Sequence, residues 1–259
     1  MIRFASLGSG SEGNGLLVQC GETLVLLDCG FSRVEAERRL YRLGVSPADL
    51  DGILVTHEHT DHMNGVAGLV RHHSVPVYGS FGTLSALWAD DLAGFPQHRA
   101  QVLRCGQPIL LGGLEIEPFS VPHDAREPLQ FVLGDGVRRL GVLTDVGCST
   151  PHVEAVLRCC DALFLEANYD EQMLRDGPYP QALKARVGGR FGHLSNDEAA
   201  ALLGRLEHAR LQHVVAAHVS QKNNTTDKAR SALAKVLGWE MERVPAADQT
   251  SGLDWLSVE

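Results

Sequence analysis

Four side chains of the kind that bind metal ions lie within one short segment: His57, His59, Asp61 and His62. They follow an apolar run at residues 52–56 that predicts a buried strand. Side chains alternate along an extended segment, so His57 and His59 project to the same side; Asp61 and His62 can face back toward them where the chain turns into a helix. Imidazole and carboxylate groups suit zinc, and also manganese or iron. The spacing therefore predicts a metal centre in which these side chains can reach two cations about 3.5–4 Å apart.

Four side chains do not complete the coordination shells of two metal ions, so further ligands must come from elsewhere in the fold. Three more ligand-type residues each follow an apolar run that predicts a strand: His123, Asp145 and His218. A strand end in a sheet holds a side chain rigidly. We therefore predict that these three residues complete the dinuclear site.

Predicted strands and helices alternate along the chain. The residue patterns predict strands at 2–7, 15–20, 23–28, 52–56, 75–78, 101–104, 114–121, 129–133, 139–144, 162–167 and 213–217. They predict helices at 32–43, from near 62, and at 151–159, 179–187, 195–207 and 226–237, the first opened by a capping box, Ser32-x-x-Glu35. Strands near both ends with helices between them favour an α/β fold of four layers, an αββα sandwich of two mixed β-sheets flanked by helices. With no linker rich in Pro, Ser or Gly, residues 1–259 are expected to form a single domain.

The charge balance restricts how the chain can bind its substrate. Its formal net charge of −9 argues against generic electrostatic wrapping of nucleic acid. A nuclease is not excluded, because bound divalent metals add local positive charge. Basic residues cluster in two runs, which we interpret as solvated helix faces. The runs are Arg33, Arg38, Arg39 and Arg42 on the first helix, and Lys184, Arg186 and Arg190 on a later segment.

The cysteines and the N-terminal segment bear on location. The six cysteines are scattered, and no CxxC pair suggests a structural zinc site. The N-terminal segment lacks the basic and apolar regions of a signal peptide. No apolar stretch approaches the roughly 20 residues that span a bilayer. We expect a reduced, cytoplasmic protein that does not associate with a membrane.

The combined pattern resembles the metallo-β-lactamase fold superfamily, in which an HxHxDH cluster is followed by His, Asp and His at successive strand ends. The resemblance implies that one cation is held by His57, His59 and His123. It implies that the other is held by Asp61, His62 and His218, with Asp145 bridging the two.

The resemblance also implies a reaction. Asp28, at the end of the third predicted strand, matches an aspartate that supports the ligand loop in such proteins. The implied reaction is hydrolysis by a metal-bridging hydroxide, and Asp61 is a candidate acceptor for a proton of the water.

Further segments resemble the YycJ/WalJ (VicX) branch, whose members are associated with 5′-to-3′ exonuclease activity on DNA. They are Ser9-Gly10-Ser11-x-Gly13-Asn14, Gly192-His193-Leu194-Ser195-Asn196 and His218-x-Ser220-x-x-Asn223-Asn224. A fourth, Glu166-Ala167-Asn168-Tyr169-Asp170, matches the branch except that Tyr169 stands where histidine is expected. The implied protein is a phosphodiesterase with nucleic acid, and DNA in particular, as its substrate.

These segments supply candidate catalytic and substrate-binding residues. The candidates for substrate contact are Ser9, Ser11, Asn14, Asn168, Ser220 and Asn223. The first loop can offer backbone and hydroxyl donors to a phosphate, or it can be a plain hairpin turn. His193 precedes a helix opened by Ser195 or Asn196, so it is a candidate proton donor to the leaving oxygen, with a structural histidine as the alternative. Asn223 and Asn224 have the alternative of capping the last helix.

Several related classes of hydrolase fit poorly. The interval between Asp145 and His218 is too short to hold a β-CASP domain, and the segment after His218 is too short for the helical domain of a glyoxalase II. Two alternatives stay open. A hydrolase of the same fold that acts on a thioester, lactone or β-lactam would have few basic residues and an apolar pocket at its mouth. A non-enzymatic metal-binding protein would have lost a ligand, whereas all seven are present.

Overall fold

The computed structural model describes residues 1–90 and 95–259. Its strands are β1 (Ile2–Gly8), β2 (Gly15–Cys20), β3 (Thr23–Leu27), β4 (Gly52–Leu54), β5 (Val77–Gly79), β6 (Ala100–Val102), β7 (Ile109–Leu111), β8 (Leu114–Ser120), β9 (Leu129–Gly134), β10 (Arg139–Leu143), β11 (Ala162–Glu166), β12 (His213–Ala217) and β13 (Leu253–Val258). Its helices are α1 (Arg33–Arg42), α2 (Thr60–Met63), α3 (Val66–His73), α4 (Phe81–Asp90), α5 (Pro151–Leu157), α6 (Glu171–Asp176), α7 (Gln181–Val187), α8 (Asn196–Arg205) and α9 (Thr226–Leu237).

The strands form two mixed sheets. The first has the order β13-β1-β2-β3-β4-β5-β6, in which β13 to β3 are antiparallel and β3 to β6 are parallel. The second has the order β12-β11-β10-β9-β8-β7, in which β7 to β10 are antiparallel and β10 to β12 are parallel. Parallel strands present their carboxyl ends at one edge of a sheet, which is where open α/β sheets bind ligands.

Three apolar clusters hold the layers together. The cluster between the sheets buries side chains from both, among them Phe4 of β1 and Phe131 of β9. A second cluster joins the outer face of the first sheet to α1 and α3. It includes Leu26 of β3 and Leu40 of α1. A third joins the outer face of the second sheet to α5, α8 and α9, where Leu202 is fully buried. The order helix, sheet, sheet, helix confirms the predicted αββα sandwich.

The starts of α1 and α7 depart from the predictions for local chemical reasons. Ser32 caps α1 as predicted, and its hydroxyl accepts from the Glu35 amide at 3.4 Å. The Glu35 carboxylate does not complete the capping box, because it pairs instead with Arg38 and Arg39. Helix α7 begins after Pro180, not at residue 179, since a proline disfavours helical backbone in the residue before it.

One arginine of the first basic run is buried. The interpretation of that run as a solvated face is wrong for Arg39, which is 8% exposed. Its guanidinium donates to the backbone oxygens of Leu7 and Gln249 at 2.7 and 3.0 Å and lies over the Phe31 ring. Arg39 therefore fixes the segment just before the Gly/Ser loop.

The last strand was not predicted. β13 pairs antiparallel with β1 at the edge of the first sheet, and most of its side chains are only half-buried or exposed. Its pattern therefore lacks the strong apolar signal of the central strands. Among the described residues, no helix is both long enough and apolar enough to cross a membrane.

Candidate metal centre

The HxHxDH segment joins β4 to α2, and it brings two of its histidines against a third. His59 is the residue that precedes the first turn of α2. His57 Nε2 lies 3.0 Å from His59 Nδ1, and His123 Nε2 lies 3.3 Å from the same atom. These three nitrogens form the first ligand group.

A second group forms beside the first. Asp61 Oδ2 lies 3.5 Å from His62 Nε2 and 3.6 Å from His218 Nε2. Asp61 and His62 come from α2, whereas His218 follows β12 of the other sheet. The second group therefore joins the two halves of the sandwich.

Asp145 lies between the two groups. Its Oδ2 is 3.2 Å from His62 Nε2, and its Oδ1 is 3.5 Å from His218 Nε2 and 4.0 Å from His123 Nε2. One carboxylate thus reaches donors of both groups, which is the geometry that a bridging ligand needs.

Unpaired polar atoms show that the seven residues fit divalent cations. Asp145 Oδ2 and His218 Nε2 are buried and have no hydrogen-bond partner. Buried polar atoms are normally paired, so orphaned atoms of this kind call for a missing partner. Both atoms face the ligand groups, where a cation would satisfy them. The donor set is all imidazole and carboxylate, as zinc, manganese and iron accept.

Burial and charge set the protonation of the donors. Burial lowers the pKa of His57 well below its usual value, which leaves the neutral imidazole that a metal needs. Burial acts in the same direction on His62, but the carboxylates of Asp145, Asp28 and Asp61 outweigh it and raise the pKa of that ring well above its usual value. A cation that binds His62 must therefore displace a proton from that ring.

Three residues of the site have left-handed backbone. They are Asp28, Asp145 and His218, with φ of 62°, 53° and 51°, and each follows a strand of the described sheets. A residue with a side chain adopts this conformation at a cost of about 1–3 kcal/mol, and such strain clusters at functional sites. The strain turns each side chain out of the strand and toward the shared site.

Asp28 contacts the ligand segment from the side away from the cavity lining. Its carboxylate accepts from the Thr56 amide and the Thr56 hydroxyl, each at 2.8 Å. The other partner is His62, whose Nδ1 lies 2.8 Å from Asp28 Oδ2. A proton on Nδ1 leaves Nε2 free to face a metal. Thr56 Oγ1 also lies 2.9 Å from His57 Nδ1.

The Gly/Ser loop lies behind the ligands. Ser9 and Asn14 are buried, at 2% and 6% exposure. Ser9 Oγ accepts from the His218 amide at 2.9 Å. The Asn14 amide donates to the backbone oxygens of Gly10 and Asp61 and lies 3.1 Å from His62 Nε2. The loop therefore ties His218 to the α2 ligands, and Ser9 and Asn14, two of its three predicted substrate contacts, use their polar atoms within the protein.

Sequence reasoning gave no role to Glu166, the last residue of β11. Its side chain is completely buried, and it accepts from the Val146 and Leu194 amides at 3.0 and 3.3 Å. Its Oε1 lies 2.7 Å from His193 Nδ1. Burial lowers the pKa of His193, but Glu166 outweighs it and raises that pKa to about 9. The signal was present in the sequence, because Glu166 ends an apolar run as Asp145 follows one.

A cavity of about 340 Å³ adjoins the ligands. His193 and the ligands His59, Asp61, His123, Asp145 and His218 line it. Of the predicted substrate contacts, Ser11, Asn168 and Ser220 also line it, whereas Ser9, Asn14 and Asn223 do not. The Asn168 amide donates to the His218 carbonyl at 2.8 Å and lies 3.0 Å from His218 Nδ1.

The N-termini of helices α8 and α9 are both capped by a side chain. Ser195 caps α8 in a full capping box with Glu198. Thr225 caps α9, so the interpretation of Asn223 or Asn224 as that cap is wrong. Asn224 instead accepts from the Thr225 amide and pairs with Asn196.

Comparison with known proteins agrees with this geometry. A family model described as a β-lactamase superfamily domain matches residues 23–218. The chain is 34% identical to exodeoxyribonuclease YycJ of Bacillus anthracis, over 91% of this chain and 89% of that protein. It is 30% identical to exodeoxyribonuclease WalJ of Streptococcus pneumoniae, over 91% and 88%. The metallo-β-lactamase fold protein YhfI of Bacillus subtilis superposes with a TM-score of 0.76 at 17% identity, over 99% and 100% of the two chains. The chain therefore belongs to the metallo-β-lactamase superfamily and, within it, groups with the YycJ and WalJ proteins.

Proposed function

We propose that this protein is a dinuclear metal-dependent phosphodiesterase that acts as a 5′-to-3′ exonuclease on DNA. The observation that carries the proposal is the pair of ligand groups joined by Asp145. The substrate class rests on the similarity to exodeoxyribonucleases over nine-tenths of the chain. All six cysteines are free thiols, which supports a cytoplasmic location.

The proposal gives each cation its own group of ligands. His57, His59 and His123 would hold one cation. Asp61, His62 and His218 would hold the other, with Asp145 shared. Zinc and manganese suit these donors best, and iron is a third choice. When bound, two such cations activate water and stabilise the charge that develops on the phosphate.

His193 is the proposed proton donor. Its Nδ1 lies against Glu166, so its Nε2 edge is left for the cavity. The raised pKa, about 9, keeps the ring protonated at neutral pH. As the water oxygen bonds to phosphorus and the bond to the leaving oxygen breaks, that oxygen takes the proton from His193. Asp61 lines the same cavity and is the proposed acceptor for the proton of the water.

The proposed roles of the remaining polar residues depend on whether they line the cavity. Ser11 and Ser220 line the cavity and are the proposed contacts to the phosphate. Ser9 and Asn14 hold the ligands in place through the bonds described above. Asn168 lines the cavity and also anchors His218.

A panel of substrates tests the proposal. Protein loaded with zinc or manganese is assayed on 5′-phosphorylated duplex DNA, single-stranded DNA, RNA, bis-p-nitrophenyl phosphate, a lactone and nitrocefin. We expect cleavage of DNA and of the phosphodiester, and we expect His59→Ala to abolish it while the fold persists. Turnover of the lactone or nitrocefin with no phosphodiester cleavage would instead establish a small-molecule hydrolase. One basic residue, Arg186, lines the cavity beside apolar side chains, so the assay decides between the two classes.

A further inference from the structure

Helix α7 forms a wall of the cavity without taking part in the core. None of its seven residues is buried. Leu183 and Val187 are four positions apart, so they lie on the same face of the helix, and both line the cavity. Tyr179, just before the helix, lines it as well. An apolar face that is left out of the core and lines a binding cavity is available to an apolar part of a substrate.

The two walls of the cavity differ in chemistry. One wall carries the ligand side chains and His193, which suit a phosphate. The other carries the tyrosine ring and the two aliphatic side chains. The Lys222 ammonium lies 5.8 Å from the Tyr179 ring centre and provides positive charge beside that ring. Arg186 also lines the cavity, but its charge is paired with that of Asp124 at 2.6 Å.

The size of the cavity limits what can enter. Its volume of about 340 Å³ is at the lower end for small-molecule sites, about 300–1,000 Å³. A single nucleotide has both of the required parts, an anionic phosphate and a flat apolar base. A cavity of this size has room for one nucleotide but not for a base pair, so the terminal base of a duplex must separate from its partner before it can enter.

We propose that Tyr179, Leu183 and Val187 bind the terminal nucleobase of an unpaired strand end, with the scissile phosphate on the ligand side. This inference rests on the proposed nuclease function and specifies its substrate. Stacking on an aromatic ring is tolerant of sequence, because every base has a π-face. The enzyme therefore requires a base at the terminal position but does not select which base.

A terminal abasic site tests the inference. The substrates are two single-stranded DNA oligonucleotides that differ only in having a normal or an abasic terminal nucleotide at the end where digestion starts. The metal-loaded enzyme should release the normal nucleotide about 5- to 160-fold faster, as expected for one stacked base. Tyr179→Ala should bring this ratio close to one, whereas Tyr179→Phe, which keeps the ring, should retain most of it. Leu183→Ala should lower it by a smaller factor.

Tyr41 provides a matched control. It is 62% exposed on α1 and does not line the cavity, so Tyr41→Ala should leave the ratio at the wild-type value. Equal rates on the two substrates with wild-type enzyme would overturn the inference while leaving the nuclease function intact. A wild-type ratio in folded Tyr179→Ala, judged by its melting temperature, would overturn it too. Absence of cleavage of every nucleic acid by the metal-loaded wild type would overturn the proposed function, and the inference with it.

Discussion

Replacing Asp28 by asparagine should change which nitrogen of His62 carries the proton. The carboxylate has three partners at 2.8 Å, and its Oδ2 faces both the Thr56 hydroxyl and His62 Nδ1. In Asp28→Asn the remaining oxygen can still accept from the Thr56 amide. The new NH₂ group donates, so both of its neighbours must become acceptors. The Thr56 hydroxyl can do so by rotating, and the His62 ring can do so by moving its proton from Nδ1 to Nε2. A protonated Nε2 cannot bind a cation.

The structure sets the size of the effect. One buried acceptor is lost, and both groups that it served can rearrange, so the free energy of unfolding should fall by about 1–3 kcal/mol. That is a fraction of the roughly 5–15 kcal/mol of a typical domain, and the protein should stay folded. Loss of a partner behind a metal-binding histidine costs about 10–100-fold in metal affinity. The loss should fall on the cation position that includes His62.

Calorimetric titration of zinc into the metal-free protein measures the two affinities, and nitrogen NMR of the imidazoles identifies the tautomer. We expect one weakened site and a proton on Nε2 of His62. Asp51→Asn is the control: Asp51 Oδ2 accepts from the Leu24 amide at 2.8 Å at the start of β3, so the charge change is the same but lies away from the ligands. Two sites of wild-type affinity in Asp28→Asn would refute the reasoning.

Three further substitutions distinguish a residue that affects the reaction from residues that hold the site in place. Glu166→Gln removes the charge that raises the pKa of His193, so kcat should fall at least about tenfold with metal content unchanged; lost metal would instead show that the pair is structural. Asn168→Ala removes a bond to the His218 carbonyl, so it should weaken metal binding and lower the free energy of unfolding by about 1–3 kcal/mol; a raised KM at full metal content would contradict this. Arg39→Ala breaks two buried bonds to backbone oxygens and should cost about 3–5 kcal/mol in denaturant unfolding; a loss under about 1 kcal/mol would count against its role in fixing the loop.

The seven candidate metal ligands could be selected from the sequence because their signal is local. His123, Asp145 and His218 each follow an apolar run, and a strand end is where a sheet holds a functional side chain. The same rule applied to Glu166 would have identified the partner of His193. The layered fold followed in the same way from the alternation of strands and helices.

Contacts between distant parts of the chain were beyond the reach of the sequence. Ser9 lies in a Gly/Ser loop that suggests a phosphate contact, yet its hydroxyl accepts from His218, 209 positions later. Arg39 belongs to a charged run on a helix, yet it is buried against the Gln249 carbonyl, 210 positions away. β13 was missed because pairing with β1, not its own pattern, makes it a strand. In each case tertiary packing, which no local pattern encodes, decides the role.

The number of divalent cations in the active protein tests the central claim most directly. Metal analysis of wild type and Asp145→Ala is combined with the rate of phosphodiester hydrolysis before and after chelation. Two ions per chain should accompany activity in the wild type. Chelation should abolish hydrolysis and zinc or manganese should restore it, while Asp145→Ala, which removes the carboxylate shared by both groups, should lose both metal and activity. Full hydrolysis by folded protein that holds no metal, or saturation of activity with a single ion, would contradict the account.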